Sequence, residues 1–350
     1  MELNKIYQGD SLTVLKTFPD ECIDCCITSP PYYGLRDYNT GKWEGGDAGC
    51  SHKRDSKWSV KTITGHSNKD LTVGDAIYKD ICPKCGAKRI DKQLGLEKTP
   101  EEYVNKIVEL FREVRRVLKK EGTLWLNLGD CYSAGGRGGG GKQGTNKGSI
   151  GLGTWKVKGL DSKNLVGIPW RVAFALQSDG WILRSEIIWY KPNPMPESVT
   201  DRPTKSHEQI FLFAKNQKYY YDNEAIKEKS LTNDNSVRDR DISKLNNTPG
   251  RSKMGGLKTN NYEKRNKRSV WVVSTKPFKE SHFATFPEAL ILPMVLAGCP
   301  KGGTVFDPFM GAGTVGLVAM KQNRNYVGIE LNPEYIKMAE KRIADNKGLF

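Results

Sequence analysis

Residues 305–330 read VFDPFMGAGTVGLVAMKQNRNYVGIE. The hydrophobic pattern of this stretch predicts a short strand, a glycine turn, a helix and a second buried strand. Gly311, Gly313 and Gly316 have the G-x-G-x-x-G spacing that lets the backbone approach a ligand closely at the start of a helix. Glu330 ends the second strand about 20 residues after the first glycine, where a carboxylate can accept both hydrogen bonds of a ribose diol. The stretch therefore predicts a nucleotide-binding unit in an α/β fold.

Two features argue against a dinucleotide as the ligand of this unit. In most nicotinamide enzymes such a unit begins a domain, whereas here a single predicted helix follows it, at 333–347. Asp307 and Pro308 also stand in the turn before the glycines, where a carboxylate would repel a pyrophosphate but could hold a cation. S-adenosylmethionine combines a ribose and an adenine with a cationic methionyl end, so it suits both Asp307 and Glu330.

A second motif, TSPPYY at 28–33, ends an apolar strand predicted at 23–27. Together with DPFMGAGT at 307–314, it resembles the amino-group DNA methyltransferases, in which S/D/N-P-P-Y/F is the catalytic signature. The catalytic motif precedes the cofactor motif, which is the permuted order called the beta class, and the resemblance covers most of the chain. It implies an α/β fold with a doubly wound, mostly parallel Rossmann-like methyltransferase sheet.

The resemblance also implies the residues of the site. The expected catalytic residues are Ser29, Pro30, Pro31 and Tyr32. The expected cofactor-binding residues are Asp10, Phe283, Thr285, Phe286, Asp307, Pro308, Phe309, Gly311, Gly313, Thr314, Glu330 and Asn332. For Asp10, the sequence alone equally favours an N-cap of the helix that follows it, and the two roles are compatible.

The chemistry expected from the resemblance is methylation of an exocyclic amino group of a base flipped out of the duplex. Tyr32 would stack on the base, while the Ser29 hydroxyl and the Pro30 carbonyl would accept the amino hydrogens. The nitrogen would attack the sulfonium methyl directly, so Cys25 and Cys26 are expected to be spectators. A serine at the first motif position favours cytosine N4 as the target, and adenine N6 stays open.

A cysteine pattern interrupts the catalytic part between 39 and 91, where no hydrophobic periodicity is sustained. It consists of Cys50-x-His52 and the sequence CPKCG at 82–86. The C-P-x-C-G half is typical of the tight turn that presents two thiolates to one tetrahedral zinc ion. The pattern predicts a structural zinc held by Cys50, His52, Cys82 and Cys85. The long gap between the halves keeps open the alternative of reduced thiols in a loop.

The net charge of +15 and the pI near 9.3 indicate a polyanionic partner. From Lys227 to Arg268 there are 12 Lys or Arg against 5 Asp or Glu, where the resemblance places the target-recognition region. A solvated loop is the alternative for that stretch. The glycine-rich stretch Ser133 to Gly159 is interpreted as a basic flap that orders on DNA, or as a flexible linker. Double-stranded DNA is thus the expected partner, while a cognate restriction endonuclease and a homodimer are left open.

Three other sequence features bear on structure and location. A capping box at Thr99 to Glu102 predicts a helix that continues to Gly122, followed by a strand at 123–128. Asn127 and Asp130 are interpreted as bordering the substrate pocket or as ordinary turn residues. The resemblance implies that Trp189, Asn193 and His207 are pocket walls, and a proline-stiffened loop with a core strand is the alternative. No apolar run is long enough to cross a membrane and no signal peptide begins the chain, so a cytoplasmic protein is expected.

The expected organisation is one catalytic domain with inserted modules. Catalytic parts are predicted at 1–38, 94–132, 166–222 and 269–350, a zinc-binding insertion at 39–93, a glycine-rich flexible loop at 133–165 and a target-recognition region at 223–268. Two other classes compete with a methyltransferase. A nicotinamide-dependent oxidoreductase rests on the glycine pattern alone, and a non-catalytic zinc-containing DNA-binding protein rests on the charge and the cysteine pairs.

Overall fold

A computed structural model describes residues 1–34, 41–52, 81–91, 93–133, 157–230, 264–275 and 285–346. The helices are α1 (Ser11–Leu15), α2 (Pro100–Val117), α3 (Ile168–Ser178), α4 (Glu288–Gly298), α5 (Thr314–Lys321) and α6 (Pro333–Asp345). The strands are β1 (Lys5–Gln8), β2 (Ile23–Thr28), β3 (Lys42–Glu44), β4 (Lys88–Ile90), β5 (Leu118–Leu128), β6 (Ile182–Tyr190), β7 (His207–Ala214), β8 (Glu228–Lys229), β9 (Lys264–Arg265), β10 (Val270–Val272), β11 (Thr304–Asp307) and β12 (Asn325–Glu330).

Eight of these strands form one sheet in the order β1-β12-β11-β2-β5-β7-β6-β10. Its pairs are parallel except those of β7, which runs antiparallel to both β5 and β6. The chain leaves the centre in two directions, from β11 to β12 on one side and from β2 to β5 on the other. The neighbours β2 and β11 therefore form a topological switch point, where open α/β sheets bind ligands at the carboxyl ends of their strands.

Helices cover both faces of this sheet, and each face has its own hydrophobic core. On one face α1, α2 and α3 pack through Leu15, Phe111 and Val172. On the other face α4, α5 and α6 contribute Ile291 and Val318, among others. The alternation of parallel strands with helices on two faces is the doubly wound α/β architecture predicted from the sequence.

Helix α2 begins as predicted and ends earlier than predicted. The Thr99 hydroxyl accepts a hydrogen bond from Glu102 N at 3.1 Å, and the Glu102 carboxylate accepts one from Lys98 N at 3.1 Å. The expected end at Gly122 is wrong, because Leu118 is already extended at φ −67° and ψ 137° and opens β5 opposite Ile23. Pairing with β2 overrides a helical pattern that local propensity would have continued.

Only parts of the predicted inserted segments belong to the described residues. Strands β3 and β4 pair antiparallel outside the main sheet, and β8 and β9 form a second small ribbon. Most of the predicted glycine-rich loop (134–156), much of the predicted target-recognition region (231–263) and residues 53–80 of the predicted insertion lie outside the described residues. Within the described part of the chain, no helix is both long and apolar enough to cross a membrane.

Substitution of Gly298 by alanine tests the packing of α4 on the sheet. A Cβ atom there would lie 2.5 Å from Nε1 of Trp125 and 2.8 Å from Sγ of Cys25. Helix propensity alone would make alanine more stable by about 1 kcal/mol, but overpacking costs about 1–3 kcal/mol. We expect Gly298→Ala to lower the free energy of unfolding measured in urea. Ser178→Ala, at the exposed end of α3, is the control and should change it little; a stabilised Gly298→Ala protein would contradict the packing described.

Candidate active site

The two sequence motifs meet at the carboxyl ends of β2 and β11. The Thr28 hydroxyl, at the end of β2, donates to Oδ1 of Asp307, at the end of β11, over 2.6 Å. Both side chains are buried, with exposures of 0% and 2%. Asp307 Oδ1 also accepts from Phe309 N at 2.9 Å, which holds the turn that leads to the glycines. Since Ser29 follows Thr28 directly, the SPPY motif begins beside this turn.

The glycine turn is held against the end of β12 by Glu330. One carboxylate oxygen of Glu330 accepts from Gly311 N at 2.9 Å, and the other accepts from Asn332 N at 2.8 Å. Gly311 has φ +50°, in the left-handed region, and a Cβ on it would meet only the Phe309 carbonyl oxygen, at 3.8 Å. The turn therefore leaves open space where a nucleoside could approach the backbone.

Other residues expected at the cofactor site have evident structural roles. Asp10 caps α1, because its Oδ2 accepts from Thr13 N at 3.0 Å. Gly313 has φ +74° and lies so close to α6 that a Cβ would be 2.8 Å from Cβ of Ala339. The Pro308 carbonyl accepts a hydrogen bond from Ser11 Oγ, and Phe309 packs on the core. The Thr314 hydroxyl accepts a hydrogen bond from Arg342, and Asn332 caps α6. Thr285 and Phe286 are half-buried just before α4. Phe283 lies outside the described residues.

The SPPY segment is held by contacts of its own. The Ser29 hydroxyl donates to Oη of Tyr32 at 3.2 Å, and the Pro31 carbonyl accepts from Oη of Tyr103 at 3.0 Å. The ring of Tyr32 lies against Gly129, where a Cβ would collide with ring carbons Cε2 and Cδ2. Pro30 is buried, while Ser29, Pro31 and Tyr32 are half-buried. The four expected catalytic residues therefore form one tight turn at the strand edge.

The hydroxyl of Tyr32 reaches two side chains from neighbouring strands. Its Oη lies 2.6 Å from Oδ1 of Asn127, on β5, and 2.8 Å from Oε2 of Glu208, on β7. Oε1 of Glu208 forms an ion pair with Nζ of Lys191, which also lies 4.2 Å from the ring centroid of Trp189. Sequence reasoning missed Glu208 and Lys191, although Glu208 directly follows His207, which it singled out.

The pocket candidates Asp130, Trp189 and Asn193 make structural contacts away from the Tyr32 hydroxyl. Asp130 uses Oδ1 to accept from Gly167 N and Ile168 N, both at 3.0 Å, so it anchors the start of α3. Trp189 is 4% exposed and belongs to the core, with Nε1 donating to the Val273 carbonyl at 2.8 Å. Asn193 holds a loop rather than a pocket, since its side chain exchanges hydrogen bonds with the backbone of Thr275.

The electrostatics of this edge depend on burial. Burial raises the pKa of Asp307 to about 7, against the lowering effect of the Thr28 hydroxyl, and burial also raises the pKa of Glu330. Cys25 and Cys26 are fully buried, and burial raises the pKa of both thiols well above the ordinary value. Neutral, buried thiols are poor nucleophiles, which agrees with the expectation that these cysteines are spectators.

A second cluster brings the four predicted metal ligands together beside the β3–β4 hairpin. One ligand atom from each of Cys50, His52, Cys82 and Cys85 lies within 4.8 Å of the others. Sγ of Cys50 and Sγ of Cys82 are 3.8 Å apart, and Sγ of Cys85 is 3.5 Å from Nδ1 of His52. The imidazole of His52 stacks on Trp43, with ring centroids 4.3 Å apart. None of the eight cysteines, all of which fall within the described ranges, forms a disulfide.

Comparison with known proteins assigns the chain to a family. The N6_N4_Mtase family, described as DNA methylase, matches residues 23–341. The type II methyltransferase M.Cfr9I of Citrobacter freundii is 40% identical over 346 residues, which cover 98% of this chain and 89% of the relative. The type II methyltransferase M.SmaI of Serratia marcescens is 41% identical over 340 residues, covering 97% and 90%. The chain belongs to this DNA methylase family and is a DNA amino-methyltransferase, which excludes an oxidoreductase and a non-catalytic DNA-binding protein.

Solved structures support the fold assignment. PvuII DNA methyltransferase, described as cytosine-N4-specific, superposes with a TM-score of 0.55 at 17% identity, covering 99% of this chain and 91% of that protein. TTHA0409 of Thermus thermophilus, solved with S-adenosyl-L-methionine, gives a TM-score of 0.53 at 18% identity and covers 99% and 96%. At such identities the likeness establishes the fold, and the predicted methyltransferase sheet is confirmed.

The buried carboxyl of Asp307 gives stability a defined pH dependence. Its pKa is about 7 in the folded protein and about 3.9 in an unfolded chain, so the folded state binds the proton more tightly. The free energy of unfolding should therefore fall as the pH rises from about 4 to about 7. Asp307→Asn removes this pH dependence, because an amide does not titrate.

We expect urea unfolding to show wild type losing stability relative to Asp307→Asn between about pH 4 and about pH 7, by on the order of a few kcal/mol. Asp345→Asn, at the exposed end of α6, is the matched control and should follow wild type. Parallel pH curves for wild type and Asp307→Asn would show that Asp307 is already ionised in the folded protein.

Proposed function

We propose that this DNA methylase transfers a methyl group from S-adenosylmethionine to the N4 amino group of cytosine in duplex DNA. The observation that carries the proposal is the hydrogen bond between Thr28 and Asp307, which places the SPPY turn and the glycine turn side by side. A site that accepts amino hydrogens and a site that fits a nucleoside with a cationic end then share one sheet edge.

The residues at the glycine turn suit S-adenosylmethionine. The Glu330 carboxylate, already fixed by two backbone N–H groups, is a partner for ribose hydroxyls, and the ionised Asp307 attracts a cationic group. The open space at Gly311 leaves room for the ligand beside the backbone. Asp10, Thr285 and Phe286 stay candidates for the adenine and methionyl ends. S-adenosylmethionine supplies an electrophilic methyl group when bound.

The residues of the SPPY turn prepare the target amino group. In this proposal the Ser29 hydroxyl oxygen and the Pro30 carbonyl accept its two hydrogens, which turns its lone pair away from the ring and toward the methyl group. Proline rigidity keeps both acceptors in place before the base arrives. The ring of Tyr32 supplies an apolar surface for a base flipped out of the duplex, while its hydroxyl is held by Asn127 and Glu208.

Cytosine N4 is favoured over adenine N6 because the acceptor in this site is the serine hydroxyl of Ser29 and no carboxylate stands at that motif position. The structural relative described as cytosine-N4-specific shares the fold and agrees with this choice. Adenine N6 is the second candidate, since the family includes both targets in its name.

The basic charge of the chain supports duplex DNA as the substrate, with the region 223–268 as the proposed reader of the target sequence. The relatives named type II methyltransferases support a place in restriction-modification, with a cognate restriction endonuclease as the implied partner. The homodimer stays a prediction.

The central test is methyl transfer to DNA. Incubation with unmethylated phage DNA and methyl-labelled S-adenosylmethionine, followed by nucleoside analysis, should yield labelled N4-methylcytosine. Ser29→Ala should lower the transfer rate by about 10²-fold or more, because one amino hydrogen loses its acceptor, while the affinity for S-adenosylmethionine is kept. Ser178→Ala should transfer at the wild-type rate. Labelled N6-methyladenine would favour the second candidate, and absence of label from every nucleoside would refute the proposed function.

We also propose that Cys50, His52, Cys82 and Cys85 hold a structural zinc ion. Zn–S bonds of about 2.3 Å in a tetrahedron separate two thiolates by roughly 3.8 Å. The two sulfurs of Cys50 and Cys82 are 3.8 Å apart, as that geometry requires. The backbone N–H groups of Asp47 and Ala87 lower the pKa of Cys85, which favours a thiolate ligand.

Metal analysis tests this assignment. We expect one zinc per chain in protein purified without chelators, and loss of that zinc in Cys82→Ser because tetrahedral coordination then lacks one thiolate. Cys22→Ser is the matched control, since Cys22 lies outside the cluster, and it should retain the metal. Absence of zinc from the wild-type protein would contradict this assignment and favour the alternative, in which the cysteines are reduced thiols without a metal.

A further inference from the structure

The contacts behind Ser29 form a chain of oxygen atoms that ends on a carboxylate. Ser29 Oγ lies 3.2 Å from Tyr32 Oη, which lies 2.8 Å from Oε2 of Glu208. The Glu208 side chain is 17% exposed and is paired with Lys191. Neither Glu208 nor Lys191 belongs to the SPPY motif or to the glycine turn. The function described above uses Glu208 only to hold the Tyr32 hydroxyl, and it gives Lys191 no role.

The orientation of Asn127 determines where the protons of this chain lie. Its Nδ2 donates to the Gln209 carbonyl at 3.1 Å, so its Oδ1 is the atom that faces Tyr32. The 2.6 Å contact between that oxygen and Tyr32 Oη requires a proton, which Tyr32 supplies. The contact between Tyr32 Oη and ionised Glu208 then lacks a proton of its own.

This arrangement has room for one additional proton. If Glu208 carries it, Tyr32 Oη accepts from Ser29 and from Glu208 while it donates to Asn127. Each of these three contacts then contains one hydrogen. A proton on Glu208 therefore supplies the hydrogen that the contact between Tyr32 Oη and Oε2 of Glu208 otherwise lacks.

The proposed reaction releases one proton. An amino nitrogen that gains a methyl group becomes positively charged and must lose one of its hydrogens to give the neutral product. A motif that begins with aspartate has a carboxylate in place to take that hydrogen, whereas the neutral hydroxyl of Ser29 is too weak a base to keep it. A serine enzyme needs a stronger base within reach of the serine.

Resting on the proposed function, we propose that Glu208 is the terminal proton acceptor of methyl transfer, reached from the base through Ser29 and Tyr32. As the N–C bond to the methyl group forms, the S–C bond of the sulfonium breaks and a neutral thioether leaves. The N–H bond of the amino group then breaks, and that proton bonds to Ser29 Oγ. The Tyr32 O–H turns from Asn127 Oδ1 to Oε2 of Glu208 and gives that oxygen its proton, while the original Ser29 proton passes to Tyr32 Oη. Ser29 and Tyr32 end as neutral hydroxyls, and the net change is one proton moved from nitrogen to carboxylate.

Lys191 and the partial exposure of Glu208 complete the cycle. The ammonium of Lys191 is paired with Oε1 of Glu208, which leaves Oε2 directed at the Tyr32 hydroxyl. Because the carboxyl is not fully buried, the proton can leave to water after the product departs. Asn127 and Lys191 thus act as positioning residues, and Glu208 acts on the reacting nitrogen through Ser29 and Tyr32.

The test compares single-turnover rates of label transfer to unmethylated phage DNA, with enzyme in excess, across a pH series. Glu208→Gln keeps the size of the side chain and removes the base. We expect its rate to fall by about 10²-fold and to lose the decline that wild type shows as the pH is lowered. Tyr32→Phe keeps the ring and breaks the relay at its middle, so it should be slowed to a similar extent.

Two further comparisons separate a relay from a structural ion pair. The double variant Tyr32→Phe with Glu208→Gln should be no slower than the slower single variant, because both changes interrupt one path. Glu186→Gln, the same change on the neighbouring strand β6, should transfer at the wild-type rate. The dissociation constant of S-adenosylmethionine and the melting temperature should stay close to wild type in Glu208→Gln.

The outcomes distinguish the relay from the proposed function. If wild type labels DNA and Glu208→Gln transfers label at the same rate with the same pH profile, the relay is wrong while the proposed function stands. Additive losses in the double variant would also overturn the relay alone, as would a slow Glu208→Gln protein that also melts early and binds S-adenosylmethionine weakly. A wild type that transfers no label to DNA would overturn the proposed function, and the relay with it.

Discussion

The hydrogen bond between the Thr28 hydroxyl and the Asp307 carboxyl is the contact on which the active site depends. It joins residues 279 positions apart in the chain, at the tips of the two strands where the sheet order changes direction. Burial of this contact raises the pKa of Asp307 to about 7, so the carboxyl can be neutral in the free protein and can attract a cation once it is ionised. The hydrogen bond thus fixes the position of Asp307, while the burial around it governs the charge.

The single antiparallel strand of the sheet gives the other half of the site. Because β7 runs against its neighbours, its amino end lies at the same edge as the carboxyl ends of the parallel strands. That reversal brings Glu208 to the hydroxyl of Tyr32 and to Lys191. A serine enzyme can in this way recruit from a neighbouring strand the carboxylate that its own motif lacks.

The cysteine–histidine cluster and the sheet edge are organised by different means. Cys50, His52, Cys82 and Cys85 converge beside a two-stranded hairpin that takes no part in the main sheet. The sheet edge that carries Ser29 and Asp307 instead relies on the parallel register of buried strands. Both β2 and β11 are paired with a strand on either side, and this pairing fixes where their last side chains lie. The cluster therefore adds a local support, while the positions of Ser29 and Asp307 follow from the sheet core.

The sequence by itself determined the fold class, the family and most of the strands, because glycine spacing, the SPPY turn and apolar periodicity are local signals. It also selected from their spacing the four cysteine and histidine side chains that the structure brings together. It misplaced the end of α2, since pairing of Leu118 with β2 is a long-range contact. It left Trp189 between a pocket wall and a core strand, and the structure shows Trp189 in the core. Only the tertiary structure brought Glu208 to Tyr32, because which strand is antiparallel, and hence which side chains share an edge, is decided by the packing of the whole sheet.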